Sequence, residues 1–133
     1  MLQGAARTIT DAEIAFLPAL MGAINPLFHD EETAKTTGMG GRVLYGPALL
    51  GISVALTEHF LRSRVIGLVE IQSVRFRRPV QVGDTVRANL TVRECVPREG
   101  KPGLLLSVDD EVTNQRGELV LSFNRVILVT EAP

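Results

Sequence analysis

The sequence predicts an α+β fold in which a curved antiparallel sheet wraps around one central helix. Three observations predict it. Residues 10 to 63 read as helical or irregular, and within them residues 47 to 61 are apolar or small on nearly every helical face. Residues 68 to 130 alternate apolar and polar side chains with a period of two. The breaks between the alternating runs are short, which pairs neighbouring strands antiparallel. A chain of 133 residues fits a single domain, residues 1 to 133.

The first helix is expected from residue 11 to about residue 21. Thr10-Asp11-Ala12-Glu13 spells a capping box, in which the Thr10 hydroxyl and the Glu13 carboxylate satisfy each other's free backbone N–H groups. Pro18 falls inside this helix and is expected to break or kink it. Residues 22 to 29 read as an ordered loop. A second, short helix is expected over residues 30 to 37, with acidic residues in its first turn and Gly38 just past its end. Gly38-Met39-Gly40-Gly41 then forms a flexible hinge. Pro47 suits the first turn of the central helix. Leu49, Leu50, Ile52, Ser53, Val54, Leu56 and Phe60 surround its axis, so it is expected to be buried on most sides.

A strand is expected from about residue 68 to residue 77. Val86, Ala88, Leu90 and Val92 then alternate with Arg87, Asn89, Thr91 and Arg93, the pattern of a sheet with one wet face. Leu104, Leu106, Val108 and Val112 mark the next strand, and Leu119, Leu121, Phe123, Ile127 and Val129 the last. Turn residues separate them at 82–84, 97–103 and 114–117. The last strand is apolar on both faces, because Val120, Val126 and Leu128 stand opposite the first set. A dimer or larger assembly is therefore expected.

Composition narrows the function classes. Net charge is −1, which carries no electrostatic footprint of a nucleic-acid binder. No run approaches the roughly 18 apolar residues of a membrane span. Residues 1 to 8 lack a basic start and an apolar run, so no signal peptide is expected. The single cysteine, Cys95, forms no disulfide within the chain and reads as a small apolar filler. A cytoplasmic location is expected. His29, His59 and Cys95 have no metal-ligand spacing, and no metal or cofactor is expected.

Two stretches go further. Gly22-Ala23-Ile24-Asn25-Pro26-Leu27-Phe28-His29 and the residues up to Ala34 resemble the signature of the MaoC-like dehydratase, or type 2 (R-specific) enoyl-CoA hydratase, family. That signature is Gly-Asp-x-Asn-Pro-aliphatic-His, then five residues, then Ala or Ser. Gly22, Asn25, Pro26, Leu27 and Ala34 match it in register. Arg75-Phe76-Arg77-Arg78-Pro79-Val80-Gln81-Val82-Gly83-Asp84 resembles the family's Arg-Phe-x-x-Pro-Val-x-x-Gly-Asp strand and turn. Tyr45-Gly46-Pro47 stands where the family begins its central helix, and residues 114–118 resemble its late hairpin. The blocks fall in order over residues 10 to 130. The resemblance implies the hot-dog fold, and addition or removal of water at an enoyl thioester of coenzyme A or acyl-carrier protein. Coenzyme A enters as part of the substrate. The departures are Ala23 at the family's catalytic Asp and Phe28 at its catalytic His. Neither supplies the base or the acid that hydration needs.

The candidate residues follow from that. His29, one residue after the lost histidine, is either a displaced base or a solvated residue at a helix start. Asp30 either replaces the carboxylate or caps the next helix. Asn25 holds the loop or orients a water. Gly46 matches the glycine whose N–H, at the start of the central helix, would bind the thioester carbonyl; otherwise it permits a tight turn. Tyr45 points its hydroxyl into the site or packs. Leu27, Phe28, Leu49 and Leu50 are expected to line an apolar tunnel opening near Gly46. Phe76 should face inward, which turns Arg75 and Arg77 outward together, either to coenzyme A phosphates or to solvent. Three function readings stay open: a hydratase or dehydratase using His29, a degenerate acyl-thioester-binding subunit of an active paralogue, and a thioesterase. The last is disfavoured because Leu49, Leu50 and Ser53, not a carboxylate, follow Gly46. Glu58 lies about 18 Å further along the helix axis.

Overall fold

The computed structural model describes residues 1–131. Five strands, β1 (Leu2–Thr8), β2 (Val65–Phe76), β3 (Thr85–Pro97), β4 (Leu104–Thr113) and β5 (Leu119–Val129), pair antiparallel into one sheet in the order β1-β3-β4-β5-β2. Between β1 and β2 run α1 (Asp11–Leu20), α2 (Pro26–His29), α3 (Glu31–Lys35), α4 (Gly46–Ala55) and α5 (Glu58–Leu61). The sheet's inner face and α4 enclose the core: Leu44, Ala48, Leu49 and Ile52 pack against Val86, Ala88, Val112, Leu121 and Phe123, all buried.

The capping box forms as the sequence predicts. The Glu13 N–H donates to the Thr10 hydroxyl, and the Thr10 N–H donates to the Glu13 carboxylate at 2.7 Å. Burial raises the Glu13 carboxyl, but hydrogen bonds from the Thr10 backbone and from Arg7 outweigh it and hold it below its ordinary range. Pro18 does not end α1. It sits buried in the last turn, its missing N–H takes a donor only from Ile14, and the Met21 N–H already resumes the ladder at Leu17.

Three expectations give way, and one strand was not foreseen. Strand β1 carried no alternation to announce it, because six of its seven residues are exposed and only Gly4 is buried. Residues 26–29 are a helical turn, not loop, since Asn25 caps it and Pro26 fits its first position. The expected helix over residues 47 to 61 divides at Thr57 into α4 and α5. Pro47, Gly51 and Ala55, four residues apart, leave one small-residue stripe of α4 exposed, so the sheet does not wrap it fully. Cys95 is exposed, not a core filler. It lies with Val92 (49% exposed) near a register shift between Val92 and Glu94, on a stretch of β3 that is exposed from Val92 onward.

The hinge residues 38–41 follow α3. The Gln81 side-chain amide donates to the Met39 carbonyl at 2.6 Å, and the Arg42 N–H donates to Glu31 at 2.8 Å. Arg42 also pairs with Asp11 at 2.5 Å, joining α1 and α3 to this segment. No helix among the described residues is long and apolar enough to cross a membrane.

Candidate active site

The site is built at the start of α4. Its N-cap, Tyr45, makes no side-chain capping bond, and Pro47 has no N–H to offer. The amides of Gly46 and Ala48 therefore point out of the first turn without a protein acceptor among the described residues. Glycine at position 46 leaves the helix start close against β2: a β-carbon there would lie 3.2 Å from the Phe76 ring, which would have to give by a few tenths of an ångström. Phe76 thus turns toward α4 as the sequence predicts, although it is half exposed because β2 is an edge strand.

Beside Gly46 lies a groove of about 250 Å³ with Leu44, Leu49 and Val80 as its floor and Met39 and Phe76 as its walls. Arg77 and Arg78 stand at its rim. Of the expected tunnel residues only Leu49 lines this groove. Leu50 packs partly buried against the core instead, because it sits about 100° around the helix from Leu49. Leu27 is half buried and does not reach the groove.

Phe28, which the resemblance in sequence sets at the family's histidine, is buried and meets Tyr45 edge to face with ring centroids 5.1 Å apart. Tyr45 packs rather than presenting its hydroxyl to a partner. The next residue, His29, is exposed, yet both its ring nitrogens face backbone carbonyls: Nδ1 lies 3.1 Å from the Asn25 oxygen and Nε2 3.2 Å from the Ala15 oxygen. A neutral imidazole donates to only one of these; the imidazolium donates to both. The ring bridges α1 and α2. Ala23 carries no polar side chain, and its N–H is taken by the Pro18 carbonyl at 2.8 Å.

Asn25 is exposed and not the buried amide that would orient a water. Its Oδ1 accepts from the Leu27 N–H at 2.9 Å and so caps α2. Asp30 does cap α3: its carboxylate accepts from the Thr33 hydroxyl at 2.7 Å and the Thr33 N–H at 3.1 Å, which lowers its pKa. Arg75 and Arg77 share a polar hollow with Asp109, Glu111 and Ser122. Arg77 donates to the Ser122 hydroxyl at 3.2 Å, and Arg75 has no side-chain partner among the described residues.

Sequence reasoning missed one cluster. Arg125 and Asp110, 3% and 1% exposed, form a buried bidentate pair, and Arg125 also donates to the Thr57 hydroxyl at 2.9 Å. The signal was present. Asp110 falls between Val108 and Val112, and Arg125 between Phe123 and Ile127, in the inward register of their strands.

Comparisons with known proteins agree on one assignment. Residues 1–114 match the MaoC like domain family. An (R)-specific enoyl-CoA hydratase of Rhodospirillum rubrum is 34% identical over 97 residues, 71% of this chain and 65% of that protein, so the match spans just under two thirds of the relative. A 3-hydroxybutyryl-CoA dehydratase of Methylorubrum extorquens is 30% identical over 80% of this chain and 68% of its own length. In structure, a monoamine oxidase regulatory protein from Archaeoglobus superposes with a TM-score of 0.90 at 33% identity, covering 99% of this chain and 89% of the other. A chain of the HadBC (3R-hydroxyacyl-ACP dehydratase) complex of Mycobacterium tuberculosis shares the fold, with a TM-score of 0.78 at 19% identity over 93% of this chain and 90% of that one.

Proposed function

The chain belongs to the MaoC-like domain family, with its hot-dog fold, and from that premise we propose that it is a hydratase or dehydratase of enoyl thioesters carried on coenzyme A or acyl-carrier protein. One observation carries the reading: the unpaired Gly46 amide at the start of α4 opens beside an apolar groove. A thioester whose acyl chain lies along Leu49 and Val80 brings its carbonyl oxygen to that amide. The helix N-terminus and the N–H stabilise the negative charge that develops there when water adds to the β-carbon. The water's proton must leave and another must reach the α-carbon. His29 is the ionisable side chain beside the lost histidine position, and it acts only if it releases the Ala15 or Asn25 carbonyl. Arg77 at the rim, with Arg75 beside it in the adjoining polar hollow, would meet phosphate oxygens.

The Phe28–Tyr45 contact favours a second reading, in which this chain binds acyl thioesters and lends its surface to an active paralogue. If the sequence resemblance holds at Phe28, an apolar pair stands where the family has an ionisable side chain. The fold's occurrence in a complex such as HadBC supports this reading. Either way the chain pairs with a second hot-dog subunit, because Ile66, Leu68 and Val69 on the edge strand β2 are each at least half exposed. The test is crotonyl-CoA hydration by the chain alone and mixed with a MaoC-like paralogue that retains both Asp and His. Turnover by the chain alone supports the first reading; turnover that needs the paralogue supports the second. A chain that neither binds nor hydrates the thioester in either setting refutes both.

A further inference from the structure

We propose that Arg125, acting through Thr57, sets the rotation of α4 and thereby aims the Gly46 amide into the groove; the inference rests on the reading of Gly46 as the carbonyl donor.

The argument begins with α4 itself. Its residues Gly-Pro-Ala-Leu-Leu-Gly-Ile-Ser-Val-Ala include no charge, and apolar groups surround the axis. A helix with one apolar stripe is fixed in rotation by burying that stripe. Burial of Ala48, Leu49, Ile52 and Ser53, with Pro47, Gly51 and Ala55 left exposed, sets the rotation of α4 coarsely, but apolar packing tolerates small turns, so directional contacts set the fine rotation. Ser53, the one polar side chain of α4, turns back on its own helix and donates to the Leu49 carbonyl at 2.7 Å. It anchors nothing outside.

At the entry to α4 the Leu44 N–H donates to the Val80 carbonyl at 2.7 Å and holds the chain two residues before Gly46. Two further contacts lie just past the C-terminal end. The Ala5 N–H on β1 donates to the Leu56 carbonyl at 3.2 Å. A single contact near the axis fixes the position of the helix end but leaves rotation free. The second contact lies off the axis: Arg125 donates to the Thr57 hydroxyl, which itself donates to the Val54 carbonyl at 3.0 Å. Together they fix position and rotation.

The anchor is held because Arg125 is buried and gripped by its partners. Its Nε and terminal nitrogen grip the two Asp110 oxygens at 2.8 and 2.7 Å, and its guanidinium stands 5.9 Å from the centre of the Phe123 ring. β5 lies between β4 and β2 in the sheet, so its backbone is held on both edges. A buried ion pair is often no more stabilising than apolar residues of the same volume, and its best-attested use is to fix register. Here it stands where register matters. The ten residues of α4 span about 15 Å and carry a rotation set at Thr57 to Gly46 undiminished. A turn of about 20° at a backbone radius of ~2.3 Å displaces an amide by about 0.8 Å. A misplacement near 1 Å costs about a hundredfold in a positioned reaction.

The experiment compares Thr57→Val, which keeps the shape but not the hydroxyl, with Thr57→Ser, which restores it. In the ligand-free protein, Thr57→Val is expected to shift or broaden the Gly46 and Ala48 amide resonances while its circular dichroism stays native, and Thr57→Ser to return them. With crotonyl-CoA labelled with ¹³C at the carbonyl, the infrared carbonyl band of the bound ester is expected to lose its downshift in Thr57→Val and regain it in Thr57→Ser. If Thr57→Val does not fold, the paired replacement Arg125→Met with Asp110→Leu removes the anchor while keeping the core apolar, and the same shifts are expected. Gly46 and Ala48 resonances identical to wild type in the folded anchor variants would overturn the inference. A wild-type complex with no carbonyl downshift would instead overturn the role given to Gly46, and the resonances would still decide whether Arg125 positions the helix.

Discussion

The Phe28 ring meets the Tyr45 ring edge to face at 5.1 Å, so the segment bearing the family signature docks on the start of α4 through carbon, not through an ionisable group. Replacing Ala23 with Asp and Phe28 with His together should create or raise hydratase activity on crotonyl-CoA. Each group of a general acid–base pair is worth about 10² to 10⁴ in rate. Phe28→Ala should leave no gain and destabilise the fold by about 3 kcal/mol, because it empties a buried site. Steady-state rates and urea unfolding check the two variants.

His29 offers a separate test. If it is the base, His29→Ala and His29→Gln both remove any residual hydration, by about a hundredfold. If the ring only bridges the Ala15 and Asn25 carbonyls, His29→Gln should retain the residual rate, since its amide can donate to one of them. The comparison of the two variants separates chemistry from support.

Gly46→Ala is expected to weaken function without unfolding the chain. The added methyl would meet the Phe76 ring at 3.2 Å and must push it or the helix start aside. Removing one carbonyl donor costs about 10² to 10³ in rate, and displacing one should cost about tenfold or more. Phe76→Ala in the same chain should recover part of the loss by making room. Thioester binding and kcat/KM, measured for both single variants and the double, check this.

Asp110 gives a pH dependence with a definite sign. Burial pushes its carboxyl above the ordinary aspartate range despite the hydrogen bonds and charge of Arg125. The folded chain therefore holds this proton to higher pH than the unfolded chain. The stabilisation is complete below the unfolded value, about 3.9, and is lost as pH rises through the folded value. Relative to Asp110→Asn, wild-type stability should fall as pH rises from about 4 and then level off. Urea unfolding at a series of pH values from about 3 to 7 checks the slope.

The edge strand predicts assembly. Leu68, 50% exposed on β2, should be covered in solution by a second subunit. Light scattering at micromolar concentration should give a dimer or larger, and Leu68→Lys should shift it toward monomer. A monomeric wild type would remove the assembly argument.

The sequence by itself determined the α+β class, the capping box at Thr10, the inward registers of β3, β4 and β5, and the family, because each is a local pattern or a linear motif. It also placed Gly46 at the start of the central helix. Only the tertiary structure decided what surrounds that glycine. Phe76 and Val80 reach the groove from 30 and 34 residues further along the chain, and no spacing along the sequence brings them to Gly46. The same holds for β1, whose pairing with β3 is a long-range choice made by a segment without alternation of its own. Asp110 and Arg125 show the boundary. Their period-two positions face them inward on sequence alone, but a charge at an inward position is stable only with its partner. That partnership exists because β4 and β5 pair in a register that sets Asp110 opposite Phe123 and Arg125 opposite Val108, one diagonal apart across the ladder.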